Sequence, residues 1–270
     1  MRLFLALLPL LAVARLPAQA DAPVEPPAPA VATAAAEADD PLAAAPPLLA
    51  DAIRRYAADN GRWAYTQRTV EYDGKGREKE SRVYRHDPSQ HYDEQWTLLE
   101  RDGKPPTAGQ QERFRKRMAK RPERERRALG ELLTWSAARV VAETPDAITY
   151  EVPLRQTKEQ RFPPEKFEVF VELDRTGPAP ALRRIDLKLR DSLRVVGVVK
   201  IKSGEARLDF TRVLPDRGPV VTAVDVRGAG SILLVPVGNR ATVARTDIKR
   251  VTPYDERFQV KIEPLKTLDF

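Results

Sequence analysis

The chain has 270 residues, 42% of them hydrophobic and 31% charged, with 24 Pro, 13 Gly, no Cys, two His and a formal net charge of +7. This composition fits one folded unit with appendages and excludes wholesale disorder, collagen-like repetition, disulfide frameworks, thiolate nucleophiles and thiolate zinc sites. Two His leave little material for an imidazole metal centre, and no cofactor is expected.

Met1-Arg2 is a short positive segment, 3–14 is an apolar run, and Ala18-Gln19-Ala20 is a small-x-small site. This is the pattern of a secretory signal peptide over 1–20, cleaved after Ala20. The apolar run is shorter than the roughly twenty residues that cross a bilayer, so a removed leader is expected over an anchor, and the product is expected in the periplasm. No Cys follows to carry a lipid. Residues 21–47 are chiefly Ala and Pro with a few acids and no aromatic residue. Such a segment cannot offset its ordering entropy and reads as an extended leader before a single domain over 48–270. Without the two Arg of 1–20 and the five acids of 21–50, residues 51–270 carry about +10. A surface this basic on an exported protein suits anionic headgroups or acidic polymers before nucleic acid.

Leu48, Leu49, Ile53, Tyr56 and Ala57 share one helical face opposite Asp51, Arg54 and Arg55, and Asn60-Gly61 ends the helix. The aromatic and β-branched run 63–72, the turn Asp73-Gly74-Lys75-Gly76 and the run 79–84 form a hairpin. A third strand is expected over 92–100. Residues 104–133 then form a basic insertion: a polar helix or helical pair over 107–129, with Phe114 and Met118 as its apolar contact and Pro122 as a kink. Strands follow at 138–142, 147–153, 166–174, 182–190, 193–201, 205–213, 220–226, 232–237, 241–251 and 258–262. Turns are read at Thr176-Gly177-Pro178, Ser203-Gly204 and Pro215-Asp216-Arg217-Gly218.

Alternation is clearest where Ile185, Leu187 and Leu189 interleave with Arg184, Asp186, Lys188 and Arg190, and where Ala206, Leu208 and Phe210 interleave with Arg207, Asp209 and Thr211. One face is therefore buried and one wet. No βαβ alternation appears, which disfavours a nucleotide-binding parallel sheet. The expected fold is mainly β (α+β): a large curved antiparallel sheet of about nine to eleven strands, with an N-terminal helix and a basic helical insertion.

Tyr65-Thr66-Gln67-Arg68, and Val83-Tyr84-Arg85 followed by Pro88 and Trp96, resemble two short stretches of the LolA/LolB family of periplasmic lipoprotein carriers. The resemblance extends to the architecture of 48–270. It implies a half-barrel covered by helices around an apolar cavity that shields an acyl chain, with Arg85 as the counterpart of the family's lid-contacting arginine.

The residues also argue for themselves. One amphipathic helix cannot bury the inner face of so long a sheet, so the surplus must close on itself, dimerise or hold a ligand. Trp63, Tyr65, Tyr92, Trp96, Phe167 and Phe170 are the large side chains expected there, as core or as ligand surface. Arg113, Arg115, Lys116, Arg117, Lys120 and Arg121 belong to the densest basic run. It is either a solvated helix or a surface for anionic headgroups or an acidic partner. His86 and His91 flank Pro88, a turn that does not hold a metal register. The acid pairs Glu80 with Asp93 and Asp186 with Asp209 read as strand charges, and Gly228-Ala229-Gly230-Ser231 is no nucleophile elbow. No RNA- or DNA-binding motif accompanies the basic run. The functional expectation is a non-enzymatic, monomeric carrier or sensor of a lipid or acylated protein. The alternative is a structural or assembly protein of the cell envelope that binds a protein partner through its sheet face, and an unidentified hydrolase stands behind both.

Overall fold

Strand parity organises this molecule. The computed structural model describes residues 40–119, 132–156, 163–195, 199–232 and 235–257. After helix α1 (Pro47–Asp59) come β1 (Trp63–Tyr72), β2 (Glu78–His86) and β3 (Trp96–Arg101), then helix α2 (Ala108–Ala119). The remaining strands are β4 (Arg139–Glu143), β5 (Ala147–Glu151), β6 (Phe167–Asp174), β7 (Ala181–Leu189), β8 (Leu193–Val195), β9 (Val199–Thr211), β10 (Val220–Ile232) and β11 (Val235–Arg250). All eleven form one open antiparallel sheet in the order β3-β2-β1-β11-β10-β9-β7-β6-β5-β4, with β8 beside β9. The expected mainly β architecture is what the chain adopts.

Two departures from a simple meander shape the sheet. The chain between β3 and β4 passes from one edge to the other, and β1 pairs with β11 from Trp63↔Arg250 to Tyr72↔Arg240. The β1–β11 register shifts between Ala64 and Thr66, where Asp247 has φ 50, a bulge that bends the strand.

Opposed residues of antiparallel neighbours share a face. One row therefore runs Arg82, Thr69, Val243, Val224, Leu208, Ile185, Val171, Tyr150 across β2, β1, β11, β10, β9, β7, β6 and β5. A parallel row runs Glu80, Glu71, Ala241, Val226, Ala206, Leu187, Val169. The opposite face carries Arg68, Ala244, Ala223, Asp209, Arg184, Glu172 and Thr149. Helices α1 and α2 pack on the first face, and a short third helix, Tyr254–Arg257, follows β11. Leu49, Ala52 and Ile53 of α1 are buried among Ile148, Tyr150, Val171, Leu173, Leu182, Ile185, Leu208 and Phe210. Each Leu or Ile so buried contributes about 1.5–3 kcal/mol. Phe114 and Met118 of α2 meet Tyr84 and Leu98 in a second, smaller cluster.

Polar contacts fix both helices. Asp59, at the end of α1, accepts from the Gly218 amide at 2.9 Å and from Arg250 Nε and Nη2 at 3.2 and 3.1 Å, tying α1 to the β9–β10 connection and to β11. On α2, Gln111 Nε2 donates to the Leu98 carbonyl at 2.7 Å, and its Oε1 accepts from the Leu98 amide at 3.2 Å. The side-chain amide thus occupies the open edge of β3 as another strand would. At the other edge β4 is exposed along its whole length.

Several expected boundaries are corrected. The third strand begins at Trp96, since 92–94 lie in a turn. Ser203-Gly204 is not a turn: it lies inside β9, where Gly204 opposes Gly228 of β10. Strands expected as 220–226, 232–237 and 241–251 are instead two long strands. The helix expected over 107–129 is seen to Ala119; 120–131 and the strand expected at 258–262 lie outside the described residues. No helix among the described residues is long and apolar enough to cross a membrane.

A Cβ at Gly218 would lie 2.2 Å from the Arg55 carbonyl oxygen, whereas one at Gly109 meets nothing within 4 Å. Gly218→Ala is expected to destabilise the fold by about 1–3 kcal/mol. Gly109→Ala is expected to stabilise it by about 0.5 kcal/mol. Urea unfolding of both variants checks this, and equal effects would contradict the close helix-to-loop packing.

Candidate functional site

The helix-bearing face is covered on two sides and less so between them. α1 lies over β5, β6, β7, β9 and β10, and α2 over β2 and β3. Between the helices the floor is formed by Gln67, Thr69 and Glu71 of β1, Ala241, Val243 and Arg245 of β11, and Val224 and Val226 of β10. Val224, Val226, Ala241, Val243 and the neighbouring Leu187 are partly exposed, while Val171 and Leu173 beneath α1 are at 0%.

A hydrogen-bonded row closes one end of this floor. Arg245 Nε donates to Gln67 Oε1 at 2.9 Å, and Arg245 Nη1 donates to the Val221 carbonyl at 3.3 Å. The guanidinium lies 4.2 Å from the centre of the Tyr65 ring, within cation–π range. Gln67 Nε2 donates to Thr69 Oγ1 at 3.2 Å and to the Tyr84 hydroxyl. Both amide ends of this buried Gln are therefore used, which orients it. The Tyr84 ring continues to Trp96 and Phe114 at 5.5 and 5.6 Å. His86 lies between Tyr65 and Trp96, at 5.0 and 4.1 Å.

The opposite end is charged and internally neutralised. Arg82 pairs with Glu80 at 2.5 Å and Glu71 at 3.8 Å, and Arg101 pairs with Glu80 at 3.0 Å. The hydrogen bond from Arg82 holds Glu80 below the usual carboxylate range. Among the described residues Arg245 has no carboxylate at ion-pair distance. Tyr56 of α1, edge-on to Phe210 at 5.4 Å, lies near enough to sense it. Burial pushes the Tyr56 phenol up to about 12, against the opposing pull of the Arg245 charge.

Four of the six aromatic residues singled out in the sequence belong to this face. Trp63 and Tyr65 pack with Val220, Trp96 flanks the α2 cluster, and Phe167 opposes Leu189 at the far side of the sheet. Two do not. Phe170 opposes Asp186 and Glu151 on the outward face, because β6 buries 167, 169, 171 and 173, and a residue three positions from Phe167 has the opposite parity. Tyr92 is 52% exposed in the β2–β3 turn, where its ring meets His91 and Tyr254.

Arg85 likewise does not face the helices. Tyr84 and His86 do, so Arg85 points to the other side, where it donates to the Asp247 carbonyl at 3.1 Å and fastens β2 to the bulge of β11. Among the described residues its bonds are to Thr66 and Asp247, on the face opposite α1 and α2. The arginine on the floor is Arg245. The sequence concealed it because both parities of 241–246 consist mostly of small residues.

Arg113, Arg115, Lys116 and Arg117 are exposed on α2, Lys116 paired with Glu112 at 2.7 Å and Arg117 over the Phe114 ring. Lys120 and Arg121 lie outside the described residues. Asp186 and Asp209 are each bound to their own arginine, Arg207 and Arg184, at 2.8 Å. His91 is exposed and bonded to Asp93, while His86 sits among the aromatic rings of the helix-bearing face. Among the described residues no group of three or more His, Cys, Asp or Glu could hold a metal ion. No protein-family model matches the chain, and no curated protein gives a significant match.

Tyr56 holds its proton more tightly in the folded chain than at its ordinary 10, so its contribution to stability is complete below pH 10 and is lost as pH rises from 10 towards about 12. An ultraviolet titration is expected to show a late phenol ionisation that Tyr56→Phe removes. An unchanged titration curve in that variant would contradict the assignment.

Proposed function

We propose that this protein is an exported, non-enzymatic carrier or sensor that holds a lipid-like acyl ligand on the helix-bearing face of its sheet. The observation that carries the reading is the strip of Val226, Ala241 and Val243, apolar and partly exposed, which continues from Val224 at the border of the α1 cluster towards the separate α2 cluster. Contiguous apolar surface framed by covering elements is the kind of site that takes an apolar small molecule. The short stretches that resemble LolA/LolB carriers agree with this reading, although Arg85 brings it no support. The signal-peptide pattern of 1–20 supports export to the periplasm. The basic face of α2 would bring the carrier to an anionic membrane surface.

A second reading rests on a different observation. β4 is an open edge strand with Val140 and Val141 at 50% and 46% exposure, which suits an envelope assembly protein that pairs with a partner strand.

Mass spectrometry of organic extracts from gently purified protein is expected to show a stoichiometric acyl lipid. Val226→Glu should abolish its retention while changing stability by no more than about 1 kcal/mol. Retention unaffected by that charge would place the lipid elsewhere and contradict this floor, and wild-type protein purified without lipid would argue for β4 and an assembly role. For α2, replacing Arg113, Arg115, Lys116 and Arg117 together with Gln is expected to weaken binding to anionic vesicles at least about tenfold, and wild-type binding should fall with salt. Equal binding to neutral vesicles would contradict a membrane role for this helix.

A further inference from the structure

We propose that the ligand's head is a compact oxyanion, a carboxylate or phosphate, seated on Arg245 with its acyl chain laid along β10 and β11. This proposal rests on the carrier reading above and adds polarity and charge to it.

The arginines of the sheet fall into two groups. On the outward face Arg184 pairs with Asp209 and Arg207 with Asp186 at 2.8 Å, and Arg240 with Asp225 at 2.5 Å, while Arg85 bonds the Asp247 carbonyl. On the helix-bearing face Arg82 and Arg101 share Glu80. Arg245, on the same face and partly buried, is bonded only to neutral groups among the described residues: the Gln67 amide, the Val221 carbonyl and the Tyr65 ring. Taking a cation partly out of water without a counter-charge is unfavourable, and an anion on the same surface relieves it.

Those three contacts also orient the guanidinium. They engage Nε, one hydrogen of Nη1 and the ring-facing plane. The Nη2 amino group has no protein acceptor among the described residues, so donors remain for an oxyanion in the bidentate manner of which this fork is capable. From Arg245 the floor continues through Val243 to Ala241, beside Val224 and Val226. Four residues of strand span about 14 Å. The apolar part of this floor, Val243 to Ala241, is about 7 Å, so the strip seats the part of one acyl chain nearest the head. At the far end Glu71 and Glu80 already neutralise Arg82 and Arg101, which leaves an anion no free cation there among the described residues. The head is therefore assigned to the end near α1.

The test is a fluorescence titration of the full chain with cis-parinaric acid and with its methyl ester, which share a chain and differ in charge. Wild-type protein is expected to bind the acid at least about tenfold more tightly than the ester. Arg245→Met is expected to remove that preference by weakening the acid, leaving the ester within about twofold. The wild-type comparison needs no substitution, so a poorly folded variant does not decide the outcome. Equal binding of acid and ester by wild type would overturn the head-group assignment while the carrier reading stands. A preference that survives in Arg245→Met would also overturn it. Failure of both probes to bind would remove the carrier reading and this proposal with it. Inorganic phosphate that displaces the acid as effectively as a second long-chain acid would make this a small-anion site and overturn the amphiphile.

Discussion

The pairing of β1 with β11 is the joint on which the rest of the structure depends. It brings a strand near the start of the folded region beside the last strand of the sheet, and merges β3-β2-β1 with the larger unit β11 through β4. Antiparallel register then carries one parity across the joint, so that the Tyr84 side of β2 and the Leu208 side of β9 become a single face. The clasp of Asp59 with Arg250 and Gly218 holds α1 against the end of the same joint. Because each helix sits to one side, the joint's own face is left with small and polar residues: Thr69, Ala241, Val243, Gln67 and Arg245. The structural seam and the proposed ligand floor are therefore the same surface.

Charge placement follows from this division. On the outward face, opposite charges alternate along and across strands, and exposed pairs of this kind contribute little to stability individually, typically below about 1 kcal/mol. They keep the face soluble and disfavour misregistration, since a one-residue slip would set the charged parity against the helices. On the helix-bearing face charge is scarce and confined to two ends, one neutralised by Glu71 and Glu80 and one where Arg245 is held by neutral partners. That contrast, more than any single aromatic residue, distinguishes the two ends of the floor.

Much of the fold was legible in the sequence because period-two alternation is local. Ile185, Leu187 and Leu189, and Ala206, Leu208 and Phe210, declare their faces without reference to other strands, and Asp73-Gly74-Lys75-Gly76 declares its turn, where Gly76 takes φ 77. What was not legible is non-local. Nothing in 96–143 states that β3 and β4 are opposite edges of one sheet. The glycines of β9 and β10 read as punctuation because a strand glycine and a turn glycine are the same letter, and only the opposition of Gly204 with Gly228 shows the difference. The site was read less well than the fold. Side-chain size groups Phe167 with Phe170 and motif likeness selects Arg85, whereas strand parity puts Phe170 and Arg85 on the outward face and Phe167 and Arg245 on the helix-bearing one.

A ligand between α1 and α2 can be located directly with a fatty acid that carries a photoactivatable diazirine in its chain, followed by peptide mapping of the adducts. Labelling is expected on peptides that contain Val224 to Val226 and Ala241 to Val243. Adducts confined to β4 or to the outward face, with none on β10 or β11, would contradict a floor that holds an acyl chain.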